Sequence, residues 1–408
     1  MLCPRCALLV SLSLAWPCAA SQVATGARPL ANRSFERPIS LARWSRMSPG
    51  TVAPHLVIAA PPVAEIADSQ LRRIFTVNLK GFAAISSDGR WICGWRRGML
   101  EYPFSARIFG SAGRLASQAE VPIPAFPTAG ATGLTAFNVE MMATGAVAVS
   151  IDTKTVKQGW QRILTFCNTG GRTAPTYRGE FGDPFLMAAA NDRLFVASAS
   201  PGPANPEATR IRAFSSTGQE KWRKEEPGWL PMALAAAPNL SRIAVGMAHG
   251  SYADGTLRRR TVFYDQKGKL VGEAEGAATE ITFSPDAKHL AGLRDYDLAL
   301  FDAKKGKLAW IKTLQVDGVP APAEAVAPAD GFMAVITRRP GKDKQGNPAT
   351  VRSVHLLDYN GETLWHEDFS TTPDGQDLGQ PGVTLSPDGS LMALWERDRV
   401  WTYRVTRQ

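Results

Sequence analysis

The chain has 408 residues, of which 44% are hydrophobic and 20% charged. That balance excludes a disordered polymer and leaves enough apolar material for one large repeat domain or two to three ordinary ones. Lys and Arg outnumber Asp and Glu by 46 to 37, a formal charge of +9, which leans weakly toward acidic partners and names none.

Residues 1–20 have the layout of a secretory signal peptide. Arg5 supplies the positive start, residues 7–16 the apolar run, and Cys18-Ala19-Ala20 a small-residue cleavage site before Ser21. The apolar run is too short for a bilayer span, which takes about 20 residues. The expectation is an exported protein, periplasmic or extracellular, with no transmembrane segment. Cys3, Cys6 and Cys18 leave with the signal, so Cys93 and Cys167 remain. An exported pair permits a disulfide, but the spacing reads better as two buried thiols acting as small hydrophobes.

Residues 21–62 are rich in Pro, Ala, Ser and Arg and lack periodicity, which predicts a flexible basic leader. A short helix is expected over residues 63–71 and a strand over residues 74–79, IFTVNL. From Gly81 onward, short apolar runs alternate with small turns. Seven of these turns recur at steps of 44 to 58 residues: Ser87-Asp88-Gly89, Thr144-Gly145, Asn191-Asp192, Pro238-Asn239-Leu240, Pro285-Asp286-Ala287, Ala329-Asp330-Gly331 and Pro387-Asp388-Gly389. Pro presets φ, Asp bonds back to the backbone, and Gly takes φ > 0, which is the chemistry of a tight turn. A second series follows within the same units, at Gly113, Gly170, Gly218, Gly268, Gly306 and Gly361. Trp222, Trp310 and Trp365 stand four residues after three of those glycines.

Four short strands per unit predict an all-β fold, a seven-bladed β-propeller of four-stranded antiparallel blades over residues 63–408. The last unit has only three strands, so an N-terminal strand is expected to close its blade, residues 74–79 being the candidate. Closure would remove the exposed sheet edges.

The segments FSPDAKHLA and LSPDGSLMA resemble WD40-type repeats, and FDAKKGKLAW and LDYNGETLW resemble quinoprotein-type (PQQ-like) propeller repeats. Asp302, Gly306 and Trp310 match the latter spacing; Asp358, Gly361 and Trp365 match with one residue fewer. The resemblance implies a propeller and, in the quinoprotein branch, a quinone-dependent dehydrogenase. This sequence departs from that branch, with no adjacent Cys-Cys pair, no recognisable Glu, Asn and Asp set for calcium, and seven expected blades where those enzymes have eight. Non-catalytic members of the class, such as outer-membrane assembly scaffolds, keep the Gly and Trp for packing alone.

No catalytic residues, metal ligands or cofactor are assigned. His249 with Asp254 falls short of the three or four ligands that a metal needs, and no nucleophile elbow or phosphate loop occurs. The loops between second and third strands are long and basic. Arg96, Arg97, Arg258, Arg259, Arg260, Arg338 and Arg339 lie there with Trp95, Tyr252, Tyr296 and Trp395 interleaved. Loops on a rigid scaffold are where binding residues concentrate. The expected function is a monomeric, non-catalytic binding or scaffolding module for an acidic polymer, lipid head group or protein partner, not nucleic acid. The alternative is an enzyme with its site at the channel mouth, a quinone-dependent dehydrogenase, hydrolase or lyase.

Overall fold

In the computed structural model the described residues are 24–44, 54–79, 82–95, 104–110, 115–121, 133–155, 159–168, 176–200, 208–251, 253, 255–294, 296–374 and 379–407. Among them, eight four-stranded antiparallel sheets follow one another, each running A to D from the centre outward. Blade 1 comprises Leu41–Trp44, Leu56–Ala60, Val63–Ala67 and Arg73–Asn78. Blade 2 holds Phe82–Ile85, Trp91–Trp95, Phe104–Gly110 and Leu115–Val121, and blade 3 Gly133–Met141, Val147–Thr155, Gly159–Cys167 and Tyr177–Arg178. Blade 4 is Phe185–Ala190, Arg193–Ala199, Ala208–Ser215 and Glu220–Pro227; blade 5 is Leu230–Ala236, Ile243–His249, Arg258–Tyr264 and Leu270–Glu275. Blade 6 is Glu280–Phe283, His289–Arg294, Asp297–Asp302 and Lys307–Lys312; blade 7 is Ala323–Pro328, Phe332–Lys342, Pro348–Asp358 and Thr363–Pro373. Blade 8 takes Gly382–Leu385, Leu391–Glu396 and Arg399–Arg407, and its outer strand is Ala24–Ser34. Each A strand touches the next, and that of blade 8 returns to blade 1, so the ring is closed around a central channel.

The expectation of seven blades is therefore corrected to eight. The extra blade comes from the stretch read as a leader followed by a helix. The turn after its second strand is Pro61-Pro62, and its C–D turn carries Leu71, not Gly, at φ 57°. Pro61-Pro62 is a B–C turn, outside both turn series, and the C–D turn, although Asp68 accepts from the Gln70 and Arg72 amides, lacks the glycine that marks the second series. The segment read as a helix contains the C strand Val63–Ala67, buried along most of its length. The closing strand is also corrected. Residues 74–79 largely belong to the D strand of blade 1, paired with Val63–Ala67. The ring is closed instead by Ala24–Ser34, which runs antiparallel to Arg399–Arg407 from Ala24 opposite Arg407 to Ser34 opposite Arg399.

The repeated turns are built as their residues dictate. The left-handed position of each A–B turn falls on Gly89, Gly145, Leu240, Ala287, Gly331 and Gly389, and on Asn191, one residue before the expected Asp192. Ser284 Oγ donates to Asp286 at 2.6 Å and accepts from the His289 amide at 3.0 Å, which ties the turn to the next strand. Ser86 with Asp88 and Ser386 with Asp388 repeat the bond. The second glycine series serves packing between blades. Trp222 of blade 4 lies on the blade 5 turn at Gly268, where a Cβ would come within 2.8 Å of the ring. Its indole N–H donates to Gln266 at 2.9 Å, and Trp310 of blade 6 donates likewise to Tyr359 of blade 7. The core consists of apolar clusters between neighbouring blades, such as Phe263, Leu290 and Phe301 between blades 5 and 6. Cys93 and Cys167 are free, buried thiols within one such cluster, and burial pushes both up from their ordinary range.

Candidate functional site

Antiparallel order puts the A–B and C–D turns on one face of the ring and the B–C loops and D-to-A connections on the other. The latter is called the loop face below. Arg96, Arg97 and Tyr252 lie outside the described residues. The remaining candidates are at or near the loop face, in different settings. Trp95 and Trp395 are each 8% exposed and belong to the core. Tyr296 is 61% exposed. Arg338 pairs with Glu324 at 3.4 Å and Arg339 with Asp368 at 2.7 Å, both within blade 7.

The structure brings Arg258, Arg259 and Arg260 together with Arg294 of the next blade. They line a cleft of about 910 Å³ between blades 5 and 6, with Trp229, Glu273, Glu275 and the backbone of Gly276. Arg258 opens the C strand of blade 5 opposite His249, and Arg294 ends the B strand of blade 6. Arg260 is held as a structural group. It pairs with Glu226 at 2.5 Å and with Glu273 at 2.9 Å, and its guanidinium lies 4.2 Å over the Trp229 ring. His249 Nδ1 is bonded to the Gly228 carbonyl at 2.5 Å, and its ring packs on Trp229. Among the described residues, the side chains of Arg258 and Arg294 have no hydrogen-bond or ion-pair partner. The cleft thus presents a fixed arginine–indole wall and two arginines with donors unspent. Guanidinium forks suit carboxylate and phosphate.

A second concavity is the channel, about 460 Å³, walled by A-strand residues such as Met187, Leu234, Ile281, Val326 and Val383. Among the described residues, two charged side chains line it, Arg43 of blade 1 and Glu140 of blade 3. Sequence reasoning missed both. Arg43 sits in the stretch read as a leader, and Glu140 is one carboxylate among apolar neighbours, VEMMA, which alone marks it. Burial raises Glu140 to about 7, and the positive field of Arg43 offsets part of that rise. Among the described residues, no three His, Cys, Asp or Glu side chains converge as a metal ion requires.

The Glu140 shift has a testable sign. The folded protein holds this proton more tightly than the unfolded chain, where the group titrates near its ordinary 4.5. The stability it contributes is complete below that pH and is lost as pH rises through about 7. Glu140→Gln is therefore expected to gain on wild type in melting temperature between pH 5 and pH 8, read by circular dichroism. A difference that stays constant with pH would contradict the assignment.

No family model matches the sequence, and no curated protein matches it. Solved structures do match. The fold is similar to that of BamB from Moraxella catarrhalis, with 93% of this chain and 99% of that chain covered, TM-score 0.54 and 12% identity. It is also similar to the C-terminal WD40 domain of Sif2, with 94% and 99% covered, TM-score 0.51 and 14% identity. The likeness is one of fold, and folds of this kind host unrelated functions. The protein is a β-propeller, and the resemblance of its turns to WD40-type and quinoprotein-type repeats is supported by the arrangement of the whole chain.

Proposed function

We propose that the protein is an exported, non-catalytic propeller that binds or scaffolds an acidic protein partner through its loop face. The observation that carries the reading is the cleft between blades 5 and 6, where Arg258 and Arg294 stand with unspent donors beside an arginine–tryptophan wall. Export rests on the signal-like residues 1–20. The alternative of a channel-mouth enzyme is less well supported, since the described channel lining includes a single carboxylate and no histidine. Acid–base catalysis usually sets two titratable groups at different pKa values side by side.

The test is binding of a fluorescent oligo-glutamate peptide to wild type and to Arg258→Ser/Arg294→Ser, followed by anisotropy. Loss of two charge-assisted contacts should weaken binding about a hundredfold or more, because each such bond contributes about 1.5–3 kcal/mol and 1.4 kcal/mol is a factor of ten. The affinity should also fall with salt. A control that removes the same charge elsewhere, Lys344→Ser/Lys304→Ser, should change little. Equal losses in both variants would leave the cleft without a special role.

A further inference from the structure

We propose that the central channel is a second binding site, for a small zwitterionic molecule with an apolar body, its anionic group held by Arg43 and its cationic group by Glu140. The volume, about 460 Å³, is that of a small-molecule site, and the walls are mostly the aliphatic side chains of the A strands. Among the described residues, Arg43 and Glu140 are the charged members of this lining. They act on one another electrostatically yet form no ion pair within 4.0 Å. Arg43 spends one nitrogen on the Ile85 carbonyl at 3.2 Å, which fixes the guanidinium and leaves further donors. Opposite charges in an apolar cavity are ordinarily closed onto each other, because an unpaired one is costly there. Here a gap is left between them, and a molecule carrying both complementary charges fills it. The site therefore offers the remaining guanidinium donors of Arg43 for a carboxylate and the Glu140 carboxylate for an ammonium, with mostly apolar walls for the rest. Glu140 is raised toward neutral pH by its burial, so an incoming ammonium would draw it into the charged form.

The experiment is isothermal titration calorimetry of the full chain with phenylalanine and 6-aminohexanoic acid as zwitterions of different reach. Phenylpropionate and phenethylamine are the single-charge analogues of phenylalanine, and hexanoate and hexylamine those of 6-aminohexanoic acid. One zwitterion should bind, and its single-charge counterparts should bind at least about tenfold more weakly, the factor that 1.4 kcal/mol represents. Glu140→Gln, nearly isosteric, should erase the advantage of the zwitterion over its carboxylate analogue. Arg43→Gln should erase its advantage over its amine analogue. Far-UV circular dichroism confirms the fold of each variant, and Glu140→Gln alone decides the matter if Arg43→Gln does not fold. Absence of binding by both zwitterions at millimolar concentration, or binding indifferent to Glu140→Gln, would mean that water alone occupies the gap and would overturn the proposal. Either result leaves the oligo-glutamate test of the loop-face cleft unaffected.

Discussion

Replacing Arg352 by leucine is expected to cost about 3–5 kcal/mol of unfolding free energy, the usual consequence of stripping one partner from a buried ion pair. Arg352 lies on the C strand of blade 7 and is 2% exposed. It donates to Glu324 of its own blade at 2.6 Å, to Glu396 of blade 8, and to the Gly379 carbonyl at 3.0 Å. Without it, Glu396, only 4% exposed, keeps a charge that water cannot reach. Urea unfolding followed by circular dichroism measures the loss. Arg352→Leu/Glu396→Gln should recover a good part of it, since the second change removes the stranded charge. A loss under about 1 kcal/mol for the single variant, the size of an exposed pair, would show that solvent reaches the group.

Arg352 is one of several buried arginines in the same role. Arg162 pairs with Asp152 at 2.5 Å and Asp183 at 2.7 Å and lies over Phe185. Arg212 pairs with Glu180 at 2.6 Å and lies over Phe181. With Arg260 they sit on C strands and reach toward the neighbouring blade. These paired arginines join neighbouring blades, whereas Arg258 and Arg294 stand without a carboxylate partner among the described residues at the loop face.

Deleting residues 24–34 is expected to unfold the ring outright, giving aggregates in size-exclusion chromatography with light scattering. The segment supplies the fourth strand of blade 8, and its removal bares the whole edge of Arg399–Arg407. It also removes Leu30 and Ala31 from the cluster between blades 8 and 1. Arg33, which holds Glu65 at 2.7 Å, would be lost, and Glu65 is 8% exposed. A soluble monomer with a cooperative melt close to wild type would contradict this.

These two results separate what the sequence makes legible from what it hides. The A–B and C–D turns could be read because their chemistry is local: Ser284, Asp286 and Gly306 act within a few residues of themselves. Trp222 and Trp310 could be read as docking residues from their fixed distance to a glycine turn. Blade 1 could not, because Pro61-Pro62 joins its B and C strands outside either series and Leu71 takes the left-handed position where the C–D series has glycine. The closing strand could not either. ATGARPLANRS has no apolar alternation of its own, and its conformation is set by a partner at the other end of the chain. For the site, the sequence showed where arginines are numerous but not which carboxylates they meet. Arg338 and Arg339 looked like Arg258, and only their distances to Glu324 and Asp368 tell them apart. Arg43 and Glu140 lie in different blades, and nothing local signals that they share a channel.

The most direct test of the eight-bladed ring is a cross-link between its two chain ends. Arg28 and Arg404 stand opposite one another in the closing pair, both exposed. In Arg28→Cys/Arg404→Cys, mild oxidation should join the two positions, seen as a reductant-sensitive shift on a gel and as the linked peptide pair by mass spectrometry. No such link, or a link formed instead in Ile74→Cys/Arg404→Cys, would mean that the ring is closed by another strand and that the eight-bladed account is wrong.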